Sequence, residues 1–122
     1  MEFDSPKPIF LQICDVILDQ ILRNALKACD RIPSVRDMGE NLRVNPNTVQ
    51  RAYAELQQRG IVEQHRGIGY FISNNGLELA RDLRKEEFIK FQLPILIHQM
   101  ESLGISWEDL QVIRQQSTTE KE

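Results

Sequence analysis

A mainly α-helical fold with a small β-hairpin is predicted by three features of this sequence. Apolar residues recur at helical spacing in several segments, two of them short and separated by the polar run Arg43-Val44-Asn45-Pro46-Asn47. Directly after them stand two brief β-type runs around a glycine-containing turn, Arg66-Gly67-Ile68-Gly69. The same middle stretch, residues 31–73, is the one basic part of an acidic chain: six arginines against four acids, in a protein of net charge −3.

The first helix is predicted from Pro8 to about Asn24. Ile9, Ile13, Ile17 and Ile21 recur every fourth residue, with Val16, Leu18 and Leu22 beside them, which is the stripe of an amphipathic helix. Pro8 suits its first turn, where a missing N–H is harmless. The segment Lys27–Pro33 breaks the pattern, and Ile32 fits a short strand. Ser34 is a good N-cap for a second helix of about two turns, with Asp37 in its first turn and Val35, Met38 and Leu42 inward. Asn45 caps a third helix with Pro46 at its first position. Val49, Ala52, Tyr53 and Leu56 face inward, and Gly60 supplies the stop. Ile61–His65 and Tyr70–Ile72 then read as two strands about the Arg66–Gly69 turn. Two helices across a short turn, followed by a hairpin, make a winged helix-turn-helix, assigned to residues 1–74.

Residues 75–122 are predicted to be a short all-α dimerisation segment with a polar tail from about Gln115. Leu79, Leu83, Ile89 and Leu93 mark one helix face, and Pro94 should kink or split that helix. Gly104 ends the next helix, and Ser106-Trp107-Glu108-Asp109 resembles a capping box that opens the last. Leu93, Leu96, Ile97, Met100, Leu103, Trp107 and Leu110 form a stripe too apolar for solvent in a chain this small, and are expected to line a dimer interface. Packing back onto the chain's own first helix accounts for part of it.

Composition excludes several classes. With 41% hydrophobic residues the chain has material for a core. No apolar run approaches the ~20 residues of a membrane span, and MEFDSPKP lacks the character of a secretory signal, so a cytoplasmic location is expected. Cys14 and Cys29 form no CxxC pair and are expected as reduced thiols. No ligand spacing joins them to His65 or His98, so no metal site is predicted. No nucleophile–base constellation, phosphate-cradling loop or cofactor motif is visible, so the chain is not expected to be an enzyme or to hold a cofactor.

The chemistry concentrates at the start of the third helix. Asn45, Asn47, Thr48, Gln50 and Arg51 lie within seven positions and would be costly to bury. In a helix-turn-helix that turn meets base edges in the major groove. There Asn and Gln can pair with adenine, Arg with guanine, and a Thr methyl with a thymine methyl. Free N–H groups at the helix start would favour a phosphate. Arg36 reads as a phosphate contact, or else as a surface ion pair with Asp37 or Glu40. Arg66 at the hairpin tip can enter a minor groove, and Gly67 and Gly69 let the backbone approach.

These residues resemble a known family. Ile32-Pro33-Ser34-Val35-Arg36-Asp37, Val44-Asn45-Pro46-Asn47-Thr48-Val49, Gly60-Ile61-Val62 and Gly67-Ile68-Gly69-Tyr70-Phe71-Ile72 are similar to motifs of the GntR bacterial regulators. The leading Pro8-Ile9-Phe10-Leu11-Gln12-Ile13 and the Asn-Pro-Asn-Thr-Val element resemble its small YtrA-type branch. The resemblance spans roughly residues 8–73. It implies a homodimeric transcriptional regulator, a repressor by expectation, on a palindromic double-stranded DNA operator. It also implies a short helical C-terminal segment used for dimerisation. Carried over residue by residue, it puts Arg36, Asn45, Asn47, Thr48, Gln50, Arg51, Arg66 and Gly67 on the family's DNA-contacting positions; with Ser34 and Gly69 these make the expected DNA-binding set. Pro46 stands where other branches often have arginine, Cys29 where glycine is common and Gly39 where alanine is common. A small-molecule effector stays open as a partner, and no membrane partner is expected. The rival reading is a winged-helix protein-interaction module that uses its C-terminal helices.

Overall fold

The computed structural model describes residues 7–120, without the side chains of the last two. The first six residues and the end of the polar tail, for which the sequence predicts no signal character and no structure, lie outside the described residues. The elements are α1 (Ile9–Leu22), β1 (Arg31–Ile32), α2 (Val35–Leu42), α3 (Pro46–Gln58), β2 (Val62–His65), β3 (Gly69–Ile72), α4 (Gly76–Glu87), a π-helical turn (Phe88–Gln92), α5 (Leu93–Leu103) and α6 (Trp107–Glu120). The chain forms two compact units, one through Leu83 and one from Arg84. The division the sequence places after residue 74 therefore precedes α4, whose first two turns belong to the first unit.

The first unit is built on α1 and α3. Ile13, Ile17, Leu18 and Ile21 of α1 are buried with Val49, Ala52, Tyr53 and Leu56 of α3, the four inward positions predicted for that helix. Three antiparallel strands in the order β1-β3-β2 close the core, where the sequence predicts a hairpin and a short strand at Ile32. Ile32, Val62 and Ile72 point inward from them.

Local chemistry sets the ends of these helices. Ser34 Oγ accepts the Asp37 N–H at 3.1 Å, the cap predicted for α2. α3 ends in a Schellman arrangement: the Gly60 N–H reaches Gln57 O and the Ile61 N–H reaches Leu56 O, with Gly60 at φ +79°. α2 ends the same way, with Arg43 and Val44 donating to Glu40 and Gly39, but its left-handed residue is Arg43 at φ +58°. Cys29, which stands in place of a common glycine, also has positive φ, at +70°. A side chain there costs about 1–2 kcal/mol. The Cys29 thiol recovers part by donating to Asn74 Oδ1 at 3.0 Å.

Both cysteines are free thiols. Cys14 donates to the Ala52 carbonyl across the α1–α3 contact. Burial, then the charges of Glu55 and Asp15, push its pKa up to about 12. No helix among the described residues is long and apolar enough to cross a membrane.

The second unit carries the split predicted at Pro94. Proline has no N–H and its ring crowds the carbonyl four residues back. The ladder adjusts by one residue: the Leu93 N–H bonds to Phe88 O, five positions back, in a π-helical turn. α5 then starts with Pro94 in its first turn and stops at Gly104, φ +70°. The capping box is present, with Ser106 N–H to Asp109 Oδ2 and Asp109 N–H to Ser106 Oγ, both at 3.0 Å. These bonds hold the Asp109 carboxyl below its ordinary pKa. The polar tail predicted from Gln115 is helical through Glu120, because no breaker interrupts α6 and its Gln and Arg residues are good helix formers.

Tyr53 is the largest fully buried side chain. Its hydroxyl donates to Pro33 O at 2.7 Å, and its ring meets Tyr70 edge-on at 4.9 Å. Tyr53→Phe orphans the Pro33 carbonyl and should lower unfolding free energy by about 1–2 kcal/mol in urea titration. Tyr53→Ala should lower it by about 3–5 kcal/mol.

Candidate nucleic-acid interface

α3 separates two faces by its periodicity. Its inward positions are buried, while Asn47, Gln50 and Arg51 in its first two turns are exposed and Thr48 is half-buried at the edge. Asn45 is the N-cap, as predicted, with Oδ1 accepting the Asn47 N–H at 2.8 Å. Its own amide group remains free to donate outward.

Those caps change one expectation. The start of α3 is predicted to offer free N–H groups to a phosphate. Pro46 has none, Asn47 donates to the Asn45 side chain, and Thr48 donates to Asn45 O at 2.9 Å. The first donors are consumed within the chain, so anion binding at this end falls to side chains. The sequence carried the signal, since an Asn-Pro-Asn start both caps a helix and removes a donor.

The arginines divide into paired and unpaired. Arg36 sits on α2 at 85% side-chain exposure, and its Nε is 3.5 Å from Glu40 Oε1. The surface ion pair and an accessible guanidinium therefore coexist, because an exposed pair of this kind is worth only ~0–1 kcal/mol. Arg59 pairs with Glu55 at 3.2 Å. The Arg51 guanidinium lies over the Phe10 ring, 4.0 Å from its centroid, a cation–π contact from α3 to α1. It fixes the arginine's stem on the helix surface and leaves hydrogen-bonding edges exposed. Arg31, Arg43 and Arg66 have no ion-pair partner among the described residues.

The hairpin joining β2 and β3 forms the wing. His65 pairs with Gly69 at its closed end, and the Ile68 N–H returns to His65 O at 2.9 Å. Arg66 and Gly67 are exposed at the tip, and Gly67 adopts φ +75° with open space where a Cβ would stand. Ile68 is 58% exposed there, an apolar side chain that the sequence does not single out. Gly69 is more enclosed, with the Arg31 side chain packed over it. At the base, Ser73 Oγ donates to Gly60 O at 2.6 Å and ties the end of β3 to the end of α3.

In the second unit the apolar stripe is partly internal. Met100 is buried and Leu93 and Ile97 are half-buried, so these side chains pack within the chain. Leu96, Leu103, Trp107 and Leu110 are exposed, Leu103 most at 74%. Phe88, Ile89, Phe91, Ile95, Val112 and Ile113 are exposed as well. The stripe does not include these; Phe88, Ile89 and Phe91 lie in the π-helical turn, which rotates them off the face that a continuous helix would give them, whereas Ile95, Val112 and Ile113 lie beyond it on α5 and α6.

Comparison with known proteins adds the following. Residues 10–72 match the family of bacterial regulatory proteins called gntR. The chain is 41% identical over 109 residues to the HTH-type transcriptional regulator YhcF of Bacillus subtilis, covering 89% of this chain and 88% of that one. It is 38% identical over 106 residues to the HTH-type transcriptional repressor YtrA of the same organism, covering 87% and 81%. The crystal structure of a transcriptional regulator from Bacteroides thetaiotaomicron superposes with a TM-score of 0.79 at 35% identity, covering 94% of this chain and all of that one.

The cap at the start of α3 can be tested apart from any ligand. Asn45→Ala removes the bond to the Asn47 N–H and should lower stability by about 1 kcal/mol, whereas Asn45→Asp keeps an accepting oxygen and should stay within about 0.5 kcal/mol of the parent. Thermal or urea unfolding of the two variants decides this; equal losses would mean the cap contributes nothing.

Proposed function

This chain belongs to the GntR family of bacterial regulatory proteins and is a DNA-binding transcriptional regulator, and we propose that it binds a palindromic operator as a homodimer and acts as a repressor. The observation that carries this reading is the two-faced α3. Its inner positions are locked into the core while Asn47, Gln50 and Arg51 stay exposed beside the capping Asn45. In the major groove those side chains have the donors and acceptors to read adenine and guanine edges. Thr48, at the margin, has its methyl for a thymine. Arg36, with Ser34 at the same helix start, faces phosphate, and the Arg66–Gly67 tip enters the minor groove. The repressor assignment draws on the likeness to a relative that is named a repressor.

The domain roles follow the same reading. Residues 1–74 read DNA, and residues 75–122 pair the subunits through the exposed part of the stripe, Leu96, Leu103, Trp107 and Leu110. Exposed apolar side chains at this density in so small a unit favour a second copy of the chain as their cover. Two-fold symmetry would set the half-sites about one helical turn apart, ~34 Å, or a multiple of it.

Binding to duplexes enriched from a random pool tests the DNA reading. Affinity should fall steeply with salt, as counterion release requires, and a protein-contact module would show no such fall. Arg36→Ala and Arg66→Ala should weaken all sequences alike. Asn47→Ala and Gln50→Ala should also relax sequence choice, with each lost base contact worth about 1–3 kcal/mol. Parental binding by all four variants would reject this site.

Sedimentation tests pairing independently. The parent should run with the mass of two chains at micromolar concentration, and Leu103→Glu with Trp107→Glu should shift it to one. A parent already at the mass of one chain would rule out the dimer.

A further inference from the structure

The outer face of the three-stranded sheet holds an arginine that the DNA-binding set does not include. Arg31 of β1 stands opposite Phe71 of β3 in the antiparallel register, and Gly69 lies two residues further along β3. Residues two apart on a strand share a face, so Arg31, Phe71 and Gly69 share one. Ile32 and Ile72 on the opposite face are buried, which makes the Arg31 face the solvent one. Its side chain does not simply extend into water. A Cβ built on Gly69 would stand 2.9 Å from Arg31 Nε, 3.3 Å from Cζ and 3.2 Å from Nη2. The guanidinium is therefore laid over the Gly69 backbone, next to the turn that carries Arg66.

The surrounding charges leave it available. Glu63 and His65 of β2 occupy the same face, but the Glu63 carboxylate lies 3.4 Å from His65 Nε2. Asp30, the chain neighbour, accepts the Lys27 backbone N–H at 2.8 Å. Arg31 has no ion-pair partner among the described residues, and the residue as a whole is exposed. Gly67 shows the contrast: its positive φ serves the turn alone, with nothing within 4 Å of a built Cβ. At Gly69 the absence of a side chain also makes room for the arginine.

We infer that Arg31 is a phosphate-binding residue of the wing, seated by Gly69 so that its fork meets the DNA backbone beside the groove that the Arg66 tip enters. The assignment rests on the DNA-binding reading above. A planar guanidinium held against a flat backbone loses little further freedom on contact, and its fork matches two phosphate oxygens where an ammonium offers a point charge. The contact carries no base information, so it acts on every sequence alike.

The test is a salt series with two probes, the duplex enriched from a random pool by the parent and a mixed-sequence duplex. Arg31→Ala should weaken both several-fold, and the slope of log K against log salt should fall by about one. Arg31→Lys should restore the slope but not the full affinity. Gly69→Ala unseats the guanidinium, so it should lower the slope in the parent and leave it unchanged in the Arg31→Ala background, where the strain at φ +148° persists but the arginine is gone. Thermal unfolding of Arg31→Ala should match the parent. A parental slope in Arg31→Ala overturns the assignment, as does an affinity loss that Arg31→Lys does not change in slope relative to Arg31→Ala. A parent that binds neither duplex overturns the DNA reading itself, and the assignment with it.

Discussion

The bond from the Tyr53 hydroxyl to the Pro33 carbonyl holds the first unit in register. Tyr53 belongs to α3, Pro33 to the entry of α2, and the Tyr53 ring rests edge-on against Tyr70 of β3. One side chain thus sets the orientation of α3 against the helix before it and the sheet behind it. Burial, with the neighbouring Tyr70, raises the phenol's pKa well above its ordinary value, so the hydroxyl keeps its proton and stays a donor at neutral pH. Pro33 can only accept through its carbonyl, since it has no N–H. The partner is therefore fixed in type as well as place. Every exposed side chain of α3 inherits its direction from this arrangement.

The turn between α2 and α3 is held by a second constraint, of space. A Cβ on Gly39 would come within 3.0 Å of Val44 O and 3.5 Å of Pro46 Cγ. The α2 backbone therefore approaches the turn more closely than alanine would allow without a shift of a few tenths of an ångström. Arg43 takes the left-handed residue of that turn at a cost that glycine would avoid. In return it leaves a guanidinium without an ion-pair partner among the described residues at the junction of the two helices. The same exchange occurs at Cys29, where nothing in the proposed function needs a side chain and the thiol bond to Asn74 is the one visible gain.

How much of this the sequence reveals follows from the range of each interaction. Helix faces, caps and the stop at Gly60 are legible because each is set within about one turn of chain: Ser34 with Asp37, Asn45 with Asn47, Ser106 with Asp109. The polar start of α3 is legible for the same reason. Three features are not. Arg31 meets Gly69 across two strands, one only two residues long, so no local pattern announces the pair. The consumed donors at the start of α3 are of a different kind: Asn45, Pro46 and Asn47 carry the signal locally, but it emerges only when the cap and the missing proline N–H are counted together. The exposure of Phe88, Ile89 and Phe91 is the third, because they lie in the π-helical turn, where the Leu93 N–H reaches Phe88 O five positions back and shifts these side chains off the face a uniform helix would give them.

An acidic chain can present a DNA-reading face because its arginines are not equivalent. Arg59 is committed to Glu55, Arg51 rests on the Phe10 ring with its hydrogen-bonding edges turned to base reading, and Arg36 shares a weak, solvated pair with Glu40. Exchanging that last pair for a phosphate forfeits at most ~1 kcal/mol. Arg31, Arg43 and Arg66 have no such partner among the described residues to give up. The usable positive charge is thus concentrated at the helix-turn-helix junction and the wing, and is smaller than the count of six suggests. Few phosphate contacts per subunit mean a modest electrostatic contribution, since affinity from counterion release scales with the number neutralised. A single subunit would then hold DNA loosely and rely on base edges for preference. Linking two such subunits raises the effective concentration of the second once the first is bound. The exposed apolar side chains of α5 and α6 are where that link would form, so weak charge on one unit and uncovered apolar surface on the other are two sides of one design.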